Sequence, residues 1–397
     1  MSRLILPANG AKSPLLFMIL VAVSTLGPLA MNIFVPSIPG LMREFSATSG
    51  TVQLTLTVYL VGIAVSQLIY GPVSDRIGRR PAMLAGLALY VAASGLCALA
   101  SGIYTLMAAR FLQAIGGAAG MVLARAVVRD LHGREASASV LGYITMTWVL
   151  VPMFAPALGG LLDEIASWRT SFYVLCALGS VVLFIAWWGL PESNLSAGSA
   201  TPPDFWRNAA TLLRQPAFIT YTLTLGFCSG VFFSFIAGAP FIMVEVLKYS
   251  PLDYGLWFML ISIGYMTGNF LSGRYAETVG IDRMIGIGNL LAIIGAVLML
   301  TFAMSGNLAP VTLFGPMLLV TLGNGLTIPG GTAAAISVLP GTIGVAAGVS
   351  GFTQTALGAA ASQLTGHLQG TWPLVATIIM AASAITAGAV HHLMRSR

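Results

Sequence analysis

Residues 71–80 read Gly71-Pro-Val-Ser-Asp75-Arg76-Ile-Gly78-Arg79-Arg80, a polar island between two long apolar runs. Its glycines permit a tight turn and a close approach of helices. Asp75 falls at a helix end, where a carboxylate can pair with an arginine or face a helix N-terminus. On the residues alone, two readings stand: a basic loop that sets topology, or a latch that holds neighbouring helices in one conformational state. A shift of 202 residues carries Asp75 onto Glu277, and Gly273-Arg-Tyr-Ala-Glu277-Thr-Val-Gly280 repeats the spacing G-x-x-x-[DE]-x-x-G. Both stretches occupy corresponding loops, so the repeat points to an internal duplication of the kind many secondary transporters carry.

The surroundings of the island are apolar throughout. Of 397 residues, 57% are hydrophobic and 8% charged, against about 25% charged in soluble domains. That balance excludes a soluble enzyme, a disordered chain and a nucleic-acid binder. Crossing a bilayer takes about 20 helical residues. Apolar runs lie near 14–36, 51–73, 81–101, 104–127, 138–162, 169–190, 217–244, 254–275, 283–304, 309–331, 341–367 and 371–393. A lipid-facing barrel needs short alternating segments, which these long uniform runs are not. The sequence predicts an all-α polytopic membrane protein with twelve transmembrane helices in two pseudo-symmetric six-helix bundles. The expected division is 1–190 for the N-terminal bundle, 191–215 for a linker and 216–397 for the C-terminal bundle. Pro and Ser keep the first part of the linker open, while Phe205, Trp206, Leu212 and Leu213 mark an amphipathic stretch suited to the membrane surface.

The net charge of +6 has an orientation to explain it. With a cytoplasmic N-terminus, fourteen of the eighteen Lys and Arg, Arg125 among them, face the cytoplasm, and Arg43, Arg169 and Lys248 face the other side. Arg110 remains inside a run. The positive-inside rule therefore predicts both termini in the cytoplasm. The first apolar run is spanning length with no small-residue cleavage site after it, so it is expected to be a retained helix. Cys97, Cys176 and Cys228 each sit in an apolar run with no CxxC and no His spacing. Neither a disulfide framework nor a metal site is expected.

At this point the motifs resemble a known family. GPVSDRIGRR resembles the signature loop of the major facilitator superfamily, carried by Gly71, Asp75, Arg76, Gly78, Arg79 and Arg80. Ala155-Pro156-Ala-Leu-Gly159-Gly160 resembles the antiporter motif of its drug-exporting branch, with Ala155 where Gly is usual. Arg110-Phe-Leu-Gln113, followed by Gly116 and Gly117, is similar to the fourth-helix basic motif, with Ala114 as a departure. Leu29-Ala-Met-Asn32-Ile-Phe-Val-Pro36-Ser-Ile-Pro39 and Phe235-Ile-Ala-Gly-Ala-Pro240-Phe resemble the Bcr/CflA group of bicyclomycin and chloramphenicol exporters. The resemblance covers essentially the whole chain and implies drug:proton antiport across a bacterial inner membrane, with no cofactor beyond the proton gradient. It implies a small amphiphilic substrate, protons and lipid as partners, and a monomer. It also implies an Asp as proton carrier at the position held by Asn32, and Asn does not titrate.

Candidate site residues follow. Arg110 is the one charge deep in a run, where it needs water, a carboxylate or carbonyls. Facing a central cavity with Gln113, it would bind substrate or set the protonation of an acid. Glu245, at the outer end of the seventh run, is the deepest remaining carboxylate and otherwise reads as a solvated acid near Lys248. Pro156, Gly159 and Gly160 read either as helix packing or as a bend used in the mechanism. Tyr59, Gln67, Tyr143, Trp148, Asn269, Asn289, Asn324 and Gln354 are polar or aromatic candidates for the cavity wall. A metabolite transporter of the nucleoside or siderophore type shares this fold, because fold does not fix substrate. A membrane-embedded enzyme or an ATP-driven pump is disfavoured: HExxH, GxSxG, GxxxxGK[ST] and paired helical carboxylates do not occur.

Overall fold

The structure, a computed structural model, describes residues 14–131, 134–194, 205–339, 342–369 and 374–395. Among them there is no strand, and twelve helices run 20 to 32 residues. The N-terminal bundle contains α1 (Pro14–Ile33), the short α2 (Ile38–Glu44), α3 (Ser49–Ile77), α4 (Arg79–Ala98), α5 (Ile103–Leu131), α6 (Arg134–Ile165) and α7 (Trp168–Gly189). After the short α8 (Phe205–Leu212), the C-terminal bundle contains α9 (Pro216–Phe241), α10 (Pro251–Val279), α11 (Ile281–Met304), α12 (Pro310–Ile336), α13 (Ile343–Gln369) and α14 (Val375–Arg395).

The 202-residue repeat is visible in the backbone. It carries the first and last residues of α3 onto those of α10, and each of these helices is 29 residues long. Each ends on the last glycine of its motif. Gly78 has φ 100° and ψ 154°, Gly280 φ 90° and ψ 142°. A side chain is strained at such positive φ, which is why glycine holds both positions. The same shift carries residues 141–165 of α6 onto 343–367 of α13. The two bundles accordingly meet along two equivalent pairs, α3 against α13 and α6 against α10.

Among the described residues, nine segments are long and apolar enough to cross a membrane on length and composition alone, against twelve expected. The helices that fall outside are α6, α10 and α13, one or both partners in each pair between the bundles. A helix shielded by its neighbours can carry Gly, Ser, Thr and Gln, as α13 does along Gly348–Gln363. Large apolar side chains such as Phe184, Phe270 and Leu290 stand exposed on the flanks, a surface that needs lipid against it.

Two expected runs are interrupted. The first helix stops at Ile33 rather than continuing to residue 36, because Pro36 has no N–H for the carbonyl of Asn32. A 3₁₀ turn, Val35–Ser37, then leads into α2. The seventh run passes beyond Pro240 into a π-helical turn, Ile242–Val246, which contains Glu245. In the linker, Leu212 is buried among Phe218, Ala335, Val345 and Ala346, so α8 docks on the C-terminal bundle through that side chain while Trp206 stays exposed.

Candidate functional site

The end of the molecule that carries Gly71–Arg80 is its inner end, and the opposite end its outer end. Arg110 lies in α5, seven residues from the helix start at the outer end. It has no exposed surface at all (0%). Its Nη1 donates to the Ala30 carbonyl of α1 at 3.0 Å and to Gln113 Oε1 at 2.7 Å. Gln113 Nε2 donates to Ser94 Oγ at 2.8 Å, and Ser94 donates to the Tyr90 carbonyl at 2.7 Å. Three rings surround the guanidinium, with centroids 4.0 Å away for Tyr59, 4.9 Å for Phe34 and 5.7 Å for Phe172. Such ring contacts contribute about 2 kcal/mol or more when desolvated. Nε and Nη2 have no hydrogen-bond partner among the described residues, and no carboxylate pairs with the arginine. The expectation that Arg110 faces a central cavity is corrected: it is enclosed within the N-terminal bundle, held by a carbonyl, an amide and aromatic faces.

Tyr59 is corrected with it. Rather than lining a cavity, it is buried under the guanidinium and donates to the Gly27 carbonyl at 2.8 Å. Tyr90 donates to the neighbouring Leu26 carbonyl at 3.2 Å. Side chains from α3, α4 and α5 thus converge on three carbonyls of α1, around the interruption at Pro28.

Asn32 is also buried, and its Nδ2 donates to the Pro28 carbonyl one turn back at 2.8 Å. Ala30, which receives Arg110, lies two residues away and therefore on the opposite side of α1, since successive residues turn by about 100°. The two residues the family resemblance couples share no hydrogen bond.

The bundles are joined at the outer end. Gln53 Nε2 donates to Ser362 Oγ at 2.6 Å, Thr57 Oγ1 to Gln363 Oε1 at 2.9 Å, and Gln363 Nε2 to the Gly50 carbonyl at 3.2 Å. Arg43 of α2 pairs with Glu245 at 3.0 Å, and the backbone N–H of Leu252 donates to Glu164 Oε1 at 3.2 Å. Glycines bring the helices together here. A Cβ at Gly159 would overlap the Ile33 carbonyl within the same bundle, whereas one at Gly160 would stand 2.5 Å from the Pro251 carbonyl of the other. Opposite them, a Cβ at Gly255 would meet Ala157 N at 2.5 Å and Pro156 C at 2.6 Å. Pro156, Gly159 and Gly160 are therefore contact surfaces on two sides of α6.

At the inner end, Arg79 pairs with Asp75 at 2.6 Å and with Asp130 at 3.0 Å. The Glu192 carboxylate accepts the backbone N–H groups of Arg79 at 2.9 Å and Arg80 at 3.2 Å, closing the first turn of α4. Arg80 donates from its Nη2 to the Trp187 carbonyl at 2.7 Å. Asp75 is latched within its own bundle.

The remaining candidates scatter. Asn324 is buried and donates to the Cys228 carbonyl at 3.3 Å, while Asn269 donates to Tyr265 on its own helix at 2.8 Å. Gln354 is partly buried on α13, and Gln67 packs against Gly351 of α13. Tyr143 is on α6, but its side chain lies outside the described residues. Trp148 is partly buried beneath Arg125, whose guanidinium stands 4.5 Å from the ring. Arg125, expected in the cytoplasmic loop, lies inside α5, six residues before its end, with its side chain exposed. Its place in the run Gly120–Leu131 hid it, because a basic residue near a helix end reads as loop charge.

The Major Facilitator Superfamily profile matches residues 20–362. An uncharacterized MFS-type transporter of Bacillus subtilis, YdgK, is 36% identical over 311 residues, covering 76% of this chain and 76% of the relative. The chloramphenicol resistance protein of Pseudomonas aeruginosa is 33% identical over 317 residues, covering 79% of this chain and 73% of the relative. Among solved structures, a bacterial homolog of the human lysosomal transporter Spinster, in an inward-facing and unoccupied conformation, superposes with a TM-score of 0.77. That alignment covers 97% of this chain and 98% of the other at 16% identity, a likeness of fold.

Proposed function

The chain belongs to the major facilitator superfamily, and from that membership we propose a secondary exporter of amphiphilic small molecules that works by alternating access. The observation that carries this reading is the outer seam. Two equivalent helix pairs, α3 with α13 and α6 with α10, join the bundles, and the polar and glycine contacts of α6 with α10 gather at the outer end. Opening that seam while closing the inner ends is the motion alternating access requires. The relative named for chloramphenicol resistance supports drugs as the substrate class.

The same reading places the protein in a bacterial inner membrane with both termini cytoplasmic, as a monomer driven by a proton gradient. Coupling runs differently from a first-helix carboxylate, because Asn32 does not titrate and Arg110 has no acid partner among the described residues. Glu245, paired to Arg43 across the seam, and Glu164, which accepts the Leu252 N–H, are carboxylates placed to sense opening.

Proteoliposomes with an imposed pH gradient and no ATP test the proposal against amphenicols, bicyclomycin-like compounds and nucleosides. Movement of an amphenicol or bicyclomycin-like compound without ATP is the expected result. Nucleoside uptake with no drug movement would overturn export and favour a metabolite carrier.

A further inference from the structure

A cleft of about 550 Å³ opens at the inner end of the C-terminal bundle, between α11 and α14, away from the outer seam and the Arg110 network. Its mouth carries Arg283 and His392, both exposed, and toward the bilayer interior its lining continues as Ile287, Leu290 and Ile293, the first two exposed on the flank of the bundle. Gly388 of α14 keeps the cleft open: a Cβ there would stand 2.9 Å from Ile293 Cδ1. Arg283 makes no ion pair among the described residues. The one carboxylate at the mouth, Asp282, accepts the Tyr221 hydroxyl at 2.9 Å, and its backbone carbonyl is 3.2 Å from His391 Nε2.

The second observation lies deeper. Asn289 also lines the cleft and is only 3% exposed, yet its Nδ2 has no hydrogen-bond partner among the described residues. Among the described residues its Oδ1 receives only the Cys228 thiol, at 3.7 Å. A buried amide donor without an acceptor is destabilising, so a ligand that brings an oxygen to it is favoured. Asn289 stands six residues beyond Arg283, about 9 Å further along the helix toward the bilayer interior.

We propose that this cleft is a binding site for one anionic glycerophospholipid. Its phosphate lies between Arg283 and His392, an ester carbonyl accepts from Asn289 Nδ2, and an acyl chain follows Ile287, Leu290 and Ile293. The Arg283 and His392 donors at the mouth, the buried amide and the apolar lining occur in the order in which such a lipid presents phosphate, ester and chain. Basic pockets between transmembrane helices recognise anionic headgroups in this way.

Native mass spectrometry of the purified full chain, offered equimolar phosphatidylglycerol and phosphatidylcholine, tests the site. The expected result is retention of one phosphatidylglycerol, preferred by about fivefold or more, which corresponds to about 1 kcal/mol. R283Q combined with H392Q, two exposed substitutions that leave the fold intact, is expected to bring the preference below about twofold. N289L and G388V are expected to weaken retention with the surface charge unchanged. The proposal is overturned by equal retention of both lipids, or by a preference that survives the double substitution. Inorganic phosphate that raises the melting temperature as much as phosphatidylglycerol does would also overturn it, because the site would then hold an anion alone.

Discussion

Arg43 and Glu245 are 202 residues apart in the chain, the shift that carries α3 onto α10, and their side chains meet 3.0 Å apart. Positions that correspond in the two halves can touch only near the axis relating them, so this ion pair marks the axis at the outer end. Arg43 is two-thirds exposed, at 66%. A pair this wet contributes about 0–1 kcal/mol, which suits a contact that forms and breaks in each cycle.

Glu245→Gln is therefore expected to leave the melting temperature nearly unchanged while shifting the population toward an open outer end. Labelling of a cysteine placed at Thr51 should rise up to about fivefold, the ratio that about 1 kcal/mol allows. The exchange Arg43→Glu with Glu245→Arg should return labelling to its starting level, and failure of that rescue would refute a pairwise latch.

The adjacent glycines of α6 should separate in their effects. Gly159→Ala drives a methyl into the Ile33 carbonyl within one bundle and is expected to destabilise by about 1–3 kcal/mol, read from unfolding. Gly160→Ala presses on the Pro251 carbonyl across the seam. It is expected to change outer-end accessibility and transport more than melting temperature. Identical losses of stability from both would argue against two separate contacts.

Arg110→Met replaces an unpaired buried cation by an apolar side chain of similar length. Because replacement of buried ions by well-packed apolar groups is often neutral or stabilising by about 1–4 kcal/mol, the variant is expected to melt no lower than the parent. Transport is expected to fall at least about tenfold. A well-folded variant with full transport would reduce the arginine to a packing element.

Asn32→Asp tests the missing acid. Only a protonated carboxyl can donate to the Pro28 carbonyl as Asn32 Nδ2 does. Ionisation leaves two acceptors facing each other, so the variant is expected to be more stable at pH 5 than at pH 8, by about 1–3 kcal/mol. The parent should show no such dependence from this position. Proton flux measured beside drug transport should increase in the variant; unchanged flux would place the carrier elsewhere.

Asp75→Asn removes one of the two carboxylates on Arg79 and leaves Asp130 in place at 3.0 Å. Thermal stability is expected to change by less than about 1 kcal/mol, with transport impaired. Normal transport rates would remove the latch as a part of the cycle.

The fold was legible because a bilayer imposes strong constraints on a sequence. Helices must be long and apolar, and the first of them breaks off before Pro36. The repeat of Gly71–Gly78 in Gly273–Gly280 was enough to anticipate two related bundles, since a positive φ demands glycine at both Gly78 and Gly280. The polar side chains were less legible. Tyr59, Asn324 and Gln354 look alike in sequence, yet Tyr59 lies beneath a guanidinium, Asn324 reaches a carbonyl of another helix, and Gln354 stays half-buried.

By itself, then, the sequence determined the helices, their internal duplication and the need for an apolar surrounding, because each follows from local composition and spacing. Tertiary structure alone decided where the charged and polar side chains went. It turned Arg110 inward onto Ala30 and Tyr59, sent Asn32 to the other side of α1, and joined Arg43 to Glu245 across the axis. Spacing along one helix gives a direction but no neighbour. Which groups lie within about 3 Å, the reach of a hydrogen bond, depends on how separate helices pack, and that packing is set by glycine contacts between residues far apart in the chain, such as Gly160 with Pro251.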